Sequence, residues 1–304
     1  MGTSASNSGP KDKTPLLPSW AQGVSPAATA TPAAQPSDAT NADGSSSQGP
    51  LANSDSAQSG QGQDSDLPAV NTPAATKDNP WQLARRAMTS ATKGGGQSYQ
   101  LQTAGRRYVS AKGGARKAAA TASGGRATTA RIGSFVSNVA SIGFAEATRA
   151  LGLEGIVGQK VDAVLAAIIN AIAPTGTSND DAIARRAASE TIRELFEKYE
   201  VQQAGLDALD AMTEADVADS IERSVANYVY QRWLFDLSQR IEQNAVSETD
   251  AVKLERDVKD FVTGLVKLKL DGKEAVHLDW KGMQGQKFVQ EIYDAAYKLL
   301  GGTS

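Results

Sequence analysis

The sequence predicts an all-α domain of about six helices behind a long disordered N-terminal tail. Three observations lead there. From residue 131 onward, apolar residues recur three and four positions apart. No segment alternates with the period of two that a half-buried strand needs; 266–270 (VKLKL) comes nearest. Ten of the eleven prolines fall within residues 1–80.

Residues 1–80 hold one aromatic, Trp20, and six Leu, Ile, Val or Phe residues. So little apolar surface cannot offset the entropy of ordering the segment, and its Ala, Ser, Thr, Pro and Gln composition reads as a flexible tail. Residues 81–130 are expected to be a basic, Gly-rich linker with one short helix. Pro80 suits a helix start, giving a helix over 81–88. The glycines at 94–96, 113–114 and 124–125 then disfavour any long helix.

Residues 131–304 are long enough for one domain that buries roughly 70% of its unfolded surface. A first helix, 131–150, places Ile132, Phe135, Val139 and Ile142 on one face. A second, 154–173, carries Val157, Val161, Val164, Leu165, Ile168 and Ile172 and is apolar nearly all round, so it is expected at the centre. Pro174 and Gly176 end it. A third, 179–200, opens with Asp180 and Asp181, favourable at a helix N-terminus, and its stripe runs from Ile183 through Ile192 and Phe196 to Tyr199.

Thr213 reads as the N-cap of a long fourth helix whose stripe is Val217, Ile221, Val225, Tyr228, Phe235 and Ile241. Around 228–235 it is apolar on several sides, which calls for more than one neighbour. Ser247, with Asp250 three residues on, caps a fifth helix bearing Leu254, Val258, Phe261 and Leu265. Asp271-Gly272 is a turn, and a last helix, 280–300, stops at Gly301-Gly302.

Composition narrows the function. The chain has no cysteine and one histidine, His277. Thiolate catalysis and Cys-based zinc sites are excluded, and a lone His without an orienting partner is a structural or surface group rather than a base. Asp236, Asp257 and Asp260 read as solvated helix faces. No phosphate-binding GxxxxGK[ST] or post-strand GxGxxG occurs. The expectation is a non-enzyme with no metal and no cofactor. No stretch reaches 18 uncharged apolar residues and no basic-then-apolar leader is visible, so a cytoplasmic protein without a membrane span is expected.

The net charge of −3 hides three blocks: −4 over 1–80, +10 over 81–131 with no acid, and −9 over 132–304. Arg106, Arg107, Arg116 and Lys117, with Tyr99 and Tyr108 interspersed, are the candidate polyanion contact. Three readings stay open, the plainest being a solubilising linker. Such a stretch can follow a nucleic-acid backbone weakly, or it can dock on an acidic protein surface, including this chain's own acidic domain.

The first twenty residues carry the sharpest signal. Met1-Gly2 permits methionine removal and exposes the Gly2 amine; residues 1–6 also fit the myristoylation pattern, which would make the chain a lipid-anchored peripheral protein. Pro15, Leu16, Leu17, Pro18 and Trp20 form an apolar, Pro-stiffened cluster suited to a partner's groove.

The opening MGTSASNSGP, the PLLPSW that follows it, the polar tail before a helical domain, and Asp279-Trp280 ahead of the final helix together resemble the QatB family of four-component Qat antiphage systems. The resemblance implies an accessory component that works with an ATPase, a QueC-like enzyme and a TatD-like nuclease. QueC-like enzymes activate a deazapurine carboxylate with ATP and pass it to an amine. The family member would then be the protein substrate and carrier, with Gly2 as the modified position.

Overall fold

The computed structural model describes residues 79–302 apart from 157, 245–247 and 269. Gly2, the 15–20 cluster, Val157 and the Ser247 cap lie outside the described residues, as do the side chains of Ile241 and Asp250.

The organising element is α9 (Glu214–Asn244). Thr213 and Asp216 start it with a reciprocal box: Thr213 Oγ1 accepts from the Asp216 amide at 3.3 Å, and Asp216 Oδ2 accepts from the Thr213 amide at 2.8 Å. Its middle carries Val225, Tyr228, Val229 and Trp233, all buried. Because these point to different sides, the helix packs against neighbours all round: α1 (Pro80–Lys93), α4 (Ser123–Ile142), α7 (Asn179–Lys198), α10 (Glu248–Leu265), α11 (Gly272–His277) and α12 (Met283–Leu300). Ser178 and Asp181 close a second capping box on α7. Lys259 ties α10 to α7 through Glu190 at 2.5 Å and Glu194 at 2.8 Å. The unit so formed spans Asp78–Ser304, and among the described residues it is all-α, with no strand.

The segment expected as a Gly-rich linker is helical. After α1 come α2 (Ser98–Ala111) and α3 (Ala115–Ala120), and α4 begins at Ser123, eight residues ahead of the expected helix start. Met88, Leu101, Tyr108, Val109 and Ala119 are core residues. The glycines separate helices rather than prevent them: Gly94 ends α1, and Gly114, at φ 95°, precedes α3. Alanines and Tyr108 supply enough apolar contact to hold these helices against the body.

The expected helix 131–150 is two. Gly143, at φ 85°, breaks it, and α5 (Phe144–Ala150) turns away. Ile142 at the break is 54% exposed, and Phe235, also expected in a stripe, is 41% exposed. The expected central helix is α6 (Val161–Ile172), which leans on α7 and α4. It buries Val164, Ile168, Ile169 and Ile172, while Ala163, Ala166 and Asn170 face solvent. Alanine on an outer face costs little to expose, so a nearly all-apolar sequence still made a surface helix. The remaining pieces are short: α8 (Val201–Ala204), a 3-10 helix (Leu206–Ala211), and α11, which Asp271 caps where a turn was expected.

Candidate functional site

Two features gather chemistry-bearing side chains. The first is a half-buried charge cluster between α2, α4, α7 and α9. Asp236 Oδ2 accepts from Tyr108 Oη at 2.8 Å, Lys112 Nζ at 2.7 Å and Arg232 Nε at 3.3 Å. Arg232 Nη1 continues to Asp180 Oδ1 at 2.8 Å. Asp180 also accepts from the Gly124 amide at 2.6 Å, from Ser123 Oγ at 3.3 Å and from the Tyr228 hydroxyl. Lys112 lies 5.7 Å from the Trp81 ring centre and 5.6 Å from that of Tyr108, a cation–π arrangement.

Electrostatics fix the protonation states here. Burial pushes the Tyr108 and Tyr228 hydroxyls well above the usual phenol range, and the neighbouring tyrosines and carboxylates add to it. Burial opposes the charge on Arg232, but Asp236, Tyr228, Tyr108 and Asp180 outweigh it and hold the guanidinium firmly protonated. Asp180 accepts on both carboxylate oxygens, Asp236 accepts three donors on Oδ2, and both phenols keep their protons. The cluster ties helices together and presents neither a nucleophile beside a base nor an open ligand position.

The second feature is an exposed basic face. On α2, Leu101, Ala104, Gly105, Tyr108 and Val109 face inward, so Arg106 and Arg107 face solvent. On α3, Ala118 and Ala119 face inward, leaving Arg116 and Lys117 outside. The ten cations of 81–131 therefore divide. Lys112 turns in and pairs with the acidic body, while the Arg106, Arg107, Arg116 and Lys117 set stays outside. Sequence reasoning missed Lys112. The available signal was its position one helical turn after the buried Tyr108. It also took Asp236 for a solvated face, whereas the carboxylate is 14% exposed and paired. His277 is exposed at the end of α11, Asp257 and Asp260 lie apart from the cluster on α10, and among the described residues no three His, Cys, Asp or Glu groups could hold a metal ion.

Residues 113–300 match the family described as Qat anti-phage system associated protein QatB. The chain belongs to the QatB family. The match starts between α2 and α3 and runs to the end of α12, so it takes in Asp180, Arg232, Asp236, Arg116, Lys117 and Asp279-Trp280. Tyr108, Lys112, Arg106 and Arg107 lie just before it, and the opening residues through Trp20 lie well before it. No curated protein and no solved structure matches the chain. Membership in the QatB family makes the chain an accessory component of a Qat anti-phage system, with its partners in that system. No described helix is long and apolar enough to cross a membrane.

Proposed function

We propose that this QatB-family chain is a non-enzymatic protein substrate and carrier, modified on the Gly2 amine by the QueC-like enzyme of its system. The observation that carries the reading is Met1-Gly2 at the head of an 80-residue polar tail. An α-amine has a pKa near 7.7–8.0, so much of it is neutral and nucleophilic at cytoplasmic pH, unlike lysine near 10.4. Thr3, Ser4, Ala5 and Ser6 add little bulk, and a chain of eighty residues without fixed structure has a root-mean-square span of roughly 50 Å. Activation forms an acyl-adenylate from the deazapurine carboxylate and ATP with loss of pyrophosphate. The neutral Gly2 amine then attacks the acyl carbon, AMP leaves with the C–O bond electrons, and the amide nitrogen loses its extra proton. Pro15, Leu16, Leu17, Pro18 and Trp20 hold the tail on the partner during transfer. The ATPase and the TatD-like nuclease act on or through the conjugate, all in the cytoplasm, where ATP is available.

Intact mass of the chain, co-expressed with its system, tests this. The expected result is loss of Met1 plus the mass of one deazapurine acyl group on Gly2. An unmodified N-terminus with full antiphage protection overturns it, and a myristoyl mass in its place assigns the terminus to lipid anchoring.

A second reading, a nucleic-acid-binding adaptor, is favoured by the exposure of Arg106, Arg107, Arg116 and Lys117. Changing all four to Ala should then lower DNA affinity, and should reduce the slope of its salt dependence by roughly 0.9 for each phosphate no longer neutralised. Equal affinity and equal slope remove this reading.

A further inference from the structure

α4 and the start of α12 enclose a cleft of about 410 Å³, within the usual range for a small-molecule site. Its charged lining is Arg126, Arg131 and Lys281, with no acid. Ala127, Ala130 and Val289 give it an apolar floor beside Trp280. The Trp280 indole N–H is turned into the core, donating to Ser137 Oγ at 3.0 Å and to the Ala275 carbonyl at 3.1 Å, so this residue offers the cleft only ring carbon.

The two arginines are held by neutral groups. Arg126 donates to Gln290 Oε1 and, at 3.2 Å, to the Ala120 carbonyl, while its Nε is buried and has no acceptor among the described residues. Arg131 donates to the Ile172 carbonyl at 3.2 Å. Lys281 is exposed. Among the described residues no carboxylate pairs with any of the three cations. Three like charges around one cavity repel each other, and a buried guanidinium N–H without an acceptor is costly. An anion in the cleft removes the repulsion. A guanidinium fork matches the oxygens of a carboxylate or a phosphate; three cations favour the phosphate, whose charge near pH 7 is about −1.5 to −2, and the apolar floor suits an attached organic group.

We propose that this cleft binds a small phosphate-bearing organic anion about the size of a mononucleotide. The proposal uses none of the residues on which the carrier reading rests, and it stands whether or not that reading does. Calorimetric titration of the full chain at low salt with AMP, ribose 5-phosphate and adenosine tests it. At least one of the two phosphates should bind with 1:1 saturation and adenosine should not. Arg131→Gln combined with Lys281→Gln should weaken that binding at least tenfold, the loss expected for charged hydrogen bonds, with unchanged far-ultraviolet circular dichroism. Lys281→Gln alone, at an exposed side chain outside the core, should still weaken it several-fold. The proposal is overturned if neither phosphate saturates at millimolar concentration, or if the variants bind as the parent does. It is equally overturned if adenosine binds as well as AMP, or if a 5′-phosphorylated oligonucleotide binds where the small phosphates do not.

Discussion

Lys112 Nζ sits 2.7 Å from Asp236 Oδ2, joining the basic N-terminal helices to the acidic body with side chains only 11% and 14% exposed. Asp236 serves three donors, so its loss strands Lys112, part of Arg232 and the Tyr108 hydroxyl together. Asp236→Ala should therefore destabilise the fold by about 3 kcal/mol, the lower end for breaking a buried pair. Arg106→Ala should stay within about 0.5 kcal/mol. Urea unfolding measures both, and limited trypsin digestion should cut the Asp236→Ala protein faster within 106–117.

Glycines on α4 and α10 should respond to alanine with opposite signs. A Cβ on Gly125 would lie 2.5 Å from the Tyr228 ring, and one on Gly133 would lie 2.6 Å from the Trp280 ring. Both rings are buried and cannot yield. Gly125→Ala and Gly133→Ala should each cost about 1–3 kcal/mol, because overpacking outweighs the gain in helix propensity. A Cβ on Gly264 would meet nothing within 4 Å, so Gly264→Ala should stabilise by about 0.5–1 kcal/mol. Paired thermal melts give the signs directly.

Acid should loosen the start of α9. Burial raises the proton affinity of Asp216, but hydrogen bonds from Lys198, Thr213 and Tyr199 outweigh it and hold the carboxyl well below the usual carboxylate range. Folded Asp216 binds its proton less readily than unfolded Asp216. Its stabilisation is therefore complete above the unfolded value near 3.9 and is lost as pH falls below it. Asp216→Asn should lower the melting temperature at pH 7 by a few degrees and flatten its dependence between pH 5 and 3. Equal acid sensitivity in the two proteins would contradict this.

Alkaline titration should reveal the buried phenols. Six of the seven tyrosines are raised above the ordinary phenol range, with burial the largest cause at each: Tyr108, Tyr199, Tyr228, Tyr230, Tyr293 and Tyr297. Each then contributes stability that is full below about pH 10 and fades as pH rises toward its folded value. Tyrosinate absorbance should fall far short of seven equivalents between pH 9 and 11, then rise with the loss of helical dichroism. Full titration at pH 11 in a folded protein would rule this out.

Helices in this chain were legible wherever one face did the burying. The stripe of α7 from Ile183 to Phe196, the Thr213 start of α9 and the end of α12 near Gly301 could be read from period and capping chemistry, because those signals act within a turn or two of the backbone. The family resemblance, too, came from the sequence itself. Three things lay beyond that range. Whether 81–130 is linker or helix depended on Tyr108 and the alanines finding a surface to cover, and that surface belongs to α9 for α1 and Tyr108 and to α12 for α3, both more than a hundred residues away. Which helix occupies the centre depended on neighbours: α6 and α9 are both rich in apolar residues, but only α9 has large side chains on several sides for other helices to enclose. The charge cluster and the cationic cleft depended on both at once. Arg232 and Asp236 share the i, i+4 spacing of one helix, but Asp180 and Lys112, like Arg126, Arg131 and Lys281, carry no mutual signal in sequence, since spacing encodes neighbours along one helix while contact between helices is set by the packing of their buried faces.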